Sequence, residues 1–218
     1  MQALGVELPA FPADPVAASN WRAAAEAAPA AGFDSLWIPE STAVAGSLAT
    51  VPGPITLGII SEVRPAGRHP SVLARDITAV DVLCGGRCSV LLHGGGAALA
   101  EAVQVCQLIF RGGVVSFSGR HFHLDGAVNR PLPAHRPPVL SQGSEPVEES
   151  DGWVITGSAA EVAACRRRAP AAMFLVWRGG APQSSRDAKA ILDAGADALI
   201  LAVPPSPAAV TSAGQRLS

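Results

Sequence analysis

The sequence predicts an α/β protein built as a compact (β/α)8 barrel of the TIM type. Three observations carry that reading. Apolar, strand-like runs alternate with Ala-rich helical segments and small-residue turns. Eight such runs can be placed along the 218 residues, close to the lower limit of roughly 200 that a barrel of this kind needs. Finally, one βα pattern occurs near both ends: GFDSLWI from Gly32 and GADALIL from Gly195 each put a glycine after a helical stretch and an aspartate before an apolar run.

The first strand is placed at Ala3 to Leu8, closed by Pro9, and the first helix between Pro15 and Ala31, with Pro29 fraying its last turn for want of an amide donor. Gly32 suits the left-handed position that ends a helix, and Phe33 to Ile38 forms the second strand. Further strands are expected at Ile55 to Ile60, Cys88 to Leu92, Pro138 to Ser141, Gly152 to Ile155, Met173 to Trp177 and Ala198 to Val203. Two links look too short for a full helix, the stretch QGSEPVEES and the Ala-Pro-rich segment near Pro170. An open doubly wound sheet is therefore the structural alternative.

Composition narrows the function classes. With 49% apolar and 16% charged residues, the chain can bury one full core, so a single domain over residues 1–218 is expected. Its formal charge of −2 and scattered basic residues argue against nucleic acid as a partner. The run Arg166 to Arg168 fits a helix C-terminus, where cations complement the dipole. No basic leader opens the chain and no membrane-length apolar run occurs, so a soluble, cytoplasmic protein is expected. Cys84, Cys88, Cys106 and Cys165 are too few and scattered for a disulfide framework or a zinc site, and read as free, mostly buried thiols. No metal is expected: His121 and His123 alternate on a hairpin-like segment, His69 belongs to a turn and His135 to an exposed loop.

Three segments in order resemble the luciferase-like monooxygenase family of flavin- and deazaflavin-dependent oxidoreductases. They are AAGFDSLWIPES, the stretch TLGIISEVRPAGRHPSVLARDITAVDVLCGGRCSVLLHGGG, and GRHFHLDGAVNRPLPAHRPPVLSQG. SDGWV and AILDAGADALIL extend the resemblance over almost the whole chain. It implies a barrel with coenzyme F420 or FMN at the C-terminal ends of the strands, where the cofactor does the redox chemistry and the protein positions it. A small-molecule substrate and a homodimer, packed through the helices after the second and third strands with an apolar patch between Ser71 and Leu83, come with it.

The same resemblance points to the residues of the site. Glu40 stands at the acidic position after the second strand, but Ser41 replaces the histidine that commonly follows it, and serine is a poor proton shuttle. His93 is then the best substitute proton donor, with Glu40 and Ser41 the other catalytic candidates. Cofactor contacts are expected at Ile60 and Ser61, where many members carry a bulge with a cis peptide, and at Gly94, Gly95 and Gly96, whose bare backbone lets a ligand approach. Gln142, Gly143 and Ser144 would receive a phosphate, with Arg178 in support. The chain lacks the long insertion usual after the fourth strand, so its pocket should be shallow, which suits hydride transfer better than oxygen insertion. A non-catalytic relative, acting as a cofactor-binding or structural protein, is the alternative.

Overall fold

The computed structural model describes residues 3–50 and 53–217; Met1, Gln2, Val51, Pro52 and Ser218 lie outside the described residues. Eight parallel strands interleaved with helices close into a barrel, in the order β1 (Ala3–Glu7), β10 (Ala198–Ala202), β9 (Phe174–Gly180), β8 (Gly152–Ile155), β7 (Val139–Gln142), β4 (Cys88–His93), β3 (Thr56–Glu62) and β2 (Ser35–Pro39). The remaining strands, β5 (Val114–Ser118) and β6 (His123–Val128), form a separate antiparallel hairpin. Closure excludes the open sheet.

One compact unit comprises Met1–Pro39, Val51–Gly58 and Val154–Ser218. Here β1 pairs in register with both β10 and β2, and β10 with β9. α1 (Pro15–Ala27) starts at Asp14, whose carboxylate accepts the Ala17 amide at 2.8 Å, and buries Trp21 with its indole N–H on the Pro9 carbonyl. The helix stops at Ala27, before Pro29, and gives way to turns up to Gly32 at φ +84°. The repeated Gly-x-Asp has a physical function. Asp34 accepts the Leu4 amide at 2.8 Å and Asp197 accepts the Leu175 amide at 2.7 Å, so in each copy the aspartate satisfies a donor at the start of the neighbouring strand. Trp37 fills the space above two glycines: a Cβ on Gly58 would meet its ring at 2.2 Å and one on Gly5 its indole nitrogen at 2.9 Å.

The same unit holds α5 (Ala159–Arg168), α6 (Ser185–Asp193) and α7 (Pro207–Gln215). α5 corrects the expectation that the link near Pro170 is too short for a helix. Ten residues fit because Ser158 and Glu161 form a reciprocal capping box and the three arginines occupy the last turn. Arg166 also binds the Gly195 and Met173 carbonyls and Asp197, tying the helix to the strands beside it.

The second unit comprises Glu40–Thr50 and Ile59–Trp153. It contains α2 (Thr42–Leu48), α3 (Pro70–Leu83) and α4 (Gly96–Arg111), with β4 paired to β7 and β7 to β8. The sequence reading did not place α2, which is short and lacks a helical apolar stripe. No helix forms between β7 and β8, as expected. There Asp151 accepts the Val139 amide at 2.7 Å and pairs with both Nη groups of Arg136, repeating the strand-start device seen twice in the other unit. The peptide joining Ile60 and Ser61 is trans; among the described residues the cis bond is Arg130–Pro131. β3 runs on as a strand to Glu62.

Candidate active site

The strand-to-helix turn after β4 exposes Gly95, Gly96 and Ala97. His93 ends β4 opposite Gln142 of β7, its carbonyl accepting the Val63 amide at 2.8 Å. The next amide, from Gly94, donates to the Gln142 carbonyl at 3.2 Å. Gly143 packs against this turn so closely that a Cβ would lie 3.4 Å from the Gly94 carbonyl and 3.0 Å from Leu99. The structure therefore brings His93, Gly94, Gln142 and Gly143 together. Gly96 sits at φ +58°, a left-handed position that permits the sharp entry into α4.

α4 differs from every other described helix at its start. Asp14, Ser41, His69, Ser158, Ser184 and Ser206 each place a side-chain acceptor on the first turn of their helix. Gly95, the N-cap of α4, supplies none, and neither Gly95 nor Gly96 has a neighbour within 4 Å of a would-be Cβ. No side chain of the cap therefore competes for the first-turn amides of this helix, which starts at the C-terminal end of a barrel strand. Nearby, Glu62 is held below the usual carboxylate range by its hydrogen bond from Arg64, with the His93 charge acting in the same direction.

The turn after β2 is the opposite case. Glu40 donates its amide to the Ile60 carbonyl at 2.8 Å, and its carboxylate accepts from the Arg68 guanidinium and the Ser61 hydroxyl. Arg68 also binds Asp76, which accepts the Thr42 hydroxyl at 2.9 Å. Ser41 caps α2 through a 3.4 Å bond from the Val44 amide. As consecutive residues of strand β3, Ile60 and Ser61 point to opposite faces of the sheet, and Ser61 shares the face of the Glu40 network. Sequence reasoning missed Arg68 and Asp76: the bridge joins residues 28 and 8 positions apart, and no local pattern announces it.

Ser144 is exposed beyond Gly143, whose carbonyl accepts the Trp153 indole N–H at 3.1 Å. Arg178 belongs to the other unit. It forms a two-point ion pair with Glu7, at 2.7 and 2.6 Å, and that carboxylate raises the guanidinium pKa. Glu7 was not anticipated. Of the other histidines, His69 caps α3, while the backbone amides of His121 and His135 bind Glu101 and Asp81. His123 meets the Ser118 hydroxyl at 3.1 Å. Among the described residues no cluster of ligating side chains could hold a metal ion.

No family model matches the chain. A pyrimidine monooxygenase, RutA, from Bradyrhizobium sp. is 28% identical over an aligned length of 98 residues, with 35% of this chain and 27% of that enzyme covered. Among solved structures, an F420-dependent secondary alcohol dehydrogenase superposes with a TM-score of 0.78 at 13% identity, over 99% of this chain and 98% of the other. The coenzyme F420-dependent tetrahydromethanopterin reductase of Methanopyrus kandleri gives 0.78 at 14%, again over 99% and 98%. The fold is the (β/α)8 barrel of these enzymes. A third structure, the oxygenating component of 3,6-diketocamphane monooxygenase from Pseudomonas putida with FMN, gives 0.54 at 15% identity, over 90% of this chain and 64% of that one.

Proposed function

We propose that the protein is a luciferase-like oxidoreductase that binds coenzyme F420 or FMN at the C-terminal ends of its strands and transfers hydride to or from a small molecule. One observation carries the reading: the uncapped, glycine-lined start of α4 directly follows His93 and adjoins Gln142 and Gly143. A phosphorylated cofactor would suit that helix start, because a helix N-terminus without a side-chain cap favours an anion. When bound, the cofactor would supply the ring that accepts or donates hydride.

The chain's own residues then have distinct tasks. The Gly94 to Gly96 turn and Ser144 would hold the polar tail, and the Ile60 side chain would support the ring. His93 would hold or deliver the proton that balances hydride transfer at the substrate. Glu40, tied to Arg68 and Ser61, would fix the ends of β2 and β3, while Ser41 contributes through the start of α2. The similarity of the fold to both F420- and FMN-containing structures supports either cofactor. The short β4 to α4 link supports hydride transfer, since little chain is left there to shield a reactive oxygen intermediate.

α3 exposes Val72, Val82 and Leu83, which supports a homodimer through this helix, to be read from gel filtration of wild type against Leu83→Glu. No helix among the described residues is long and apolar enough to cross a membrane, in keeping with a cytoplasmic site of action. A second reading, a non-catalytic relative, draws on the commitment of Ser41 to a cap and of Arg178 to Glu7. Titration with F420 and with FMN separates the two: saturable micromolar binding of one supports the enzyme, and binding of neither supports the relative.

A further inference from the structure

We infer that the base of the β5–β6 hairpin is a binding site for a small, flat apolar molecule carrying one N–H or O–H donor. A cavity of about 400 Å³ opens there, lined by Gly113, Val114, Val128, Asn129, Pro131 and Leu132 together with Arg130. That is within the size range of small-molecule sites, roughly 300–1,000 Å³. The cavity lies at the C-terminal end of α4, whereas His93 precedes its N-terminus, so the 16-residue helix separates the two by about 24 Å.

The side chain of Asn129 supplies the chemistry. It is 3% exposed, and its amide nitrogen donates to the Thr78 hydroxyl at 2.9 Å and to the Ile109 carbonyl at 3.3 Å. The carbonyl can only accept, so the nitrogen must face it and the orientation of the amide is fixed. Asn129 Oδ1 is left buried with no partner. A buried acceptor without a donor costs about 1–3 kcal/mol, and a ligand N–H or O–H would recover part of it. The walls are apolar and yielding. Val114 is 77% and Leu132 52% exposed, and Leu132 lies across Gly112, where a Cβ would meet it at 2.4 Å. Moving Leu132 aside would admit a ring against the cross-strand pair Val114 and Val128, with its donor directed at Oδ1.

1-Methylindole replaces the N–H donor of indole by N–CH3, and Asn129→Leu separates loss of the donor from the added bulk; together they make the test. In a titration of the full chain followed by NMR, indole should saturably shift the Asn129 side-chain amide and the methyl groups of Val114, Val128 and Leu132. 1-Methylindole should bind at least about tenfold more weakly, the factor expected for one hydrogen bond of about 1.4 kcal/mol. Asn129→Leu should abolish the discrimination. As that change removes buried bonds, Val128→Glu, at an exposed strand position, serves as the second variant: it should weaken indole binding at least fivefold with an unchanged melting temperature. Equal affinity for the two indoles, or no shift at these residues, would overturn the assignment.

Discussion

The turns after β2 and β4 both end barrel strands and both lead into helices, yet they treat their polar groups in opposite ways. After β2, Glu40 and Ser41 are taken up within the protein, by Arg68 and Ser61 in one case and by the Val44 amide in the other. After β4, the glycines bring no side chain to satisfy the first turn of α4. Helix-end donors need partners, so the first turn is a finished structural joint, whereas the second leaves its first-turn amides to solvent or a ligand. On the proposed function, the Glu40–Ser41 pair is therefore structural and the glycine run receives the ligand.

The strongest way to break this contrast is to take the phosphate from the ligand. Riboflavin in place of FMN, or the unphosphorylated deazaflavin in place of F420, should bind about 10- to 100-fold more weakly, as lost charge-assisted bonds of 1.5–3 kcal/mol imply. Fluorescence titration reads this directly. Next in size, Arg68→Ala should lower stability by roughly 1–2 kcal/mol, because it strips a shared cation from two partly buried carboxylates. Chemical denaturation would show it, and the double variant with Glu40→Ala should recover part of the loss. Cofactor affinity should change far less than stability in both.

Ser41→Ala sharpens the contrast with a smaller effect. Its 3.4 Å capping bond is long, so a loss near the low end of the capping range, about 0.5 kcal/mol, is expected with unchanged cofactor affinity. Smallest is the acid response. Burial works against ionised Asp151 and Glu101, but Arg136, the Val139 amide and Gln107 outweigh it at Asp151, as the His121, Arg120 and Phe122 amides do at Glu101, and both pKa values fall. A depressed folded-state pKa stabilises the fold above the unfolded value, here 3.8 and 4.5. That contribution should be complete above about pH 5 and fade as the pH drops below 4, visible in melting temperatures across the range.

Much of the barrel was legible because burial on both faces writes parallel strands as unbroken apolar runs, such as Ser35–Pro39 with its Leu36, Trp37 and Ile38. The Gly-x-Asp repeat was also legible, and the structure supplies its reason in the Leu4 and Leu175 amides. α2 escaped because TAVAGSL is too short for a period to show, and of α5 only the arginine run at its C-terminus was legible, because its Ala-rich body carries no apolar stripe. At the site, the glycine turn could be read from its sequence. The Arg68 bridge and the Glu7–Arg178 pair could not, since each depends on side chains that only the folded chain brings together.

Gly95→Asp tests the central claim most directly. Gly95 has the extended backbone of an N-cap and open space around it, and aspartate is a favoured residue there. The account expects the variant to melt higher, by the equivalent of about 0.5–1 kcal/mol, and to lose F420 or FMN binding, because its carboxylate both occupies the free amides and repels the phosphate. Wild-type affinity in Gly95→Asp would contradict it.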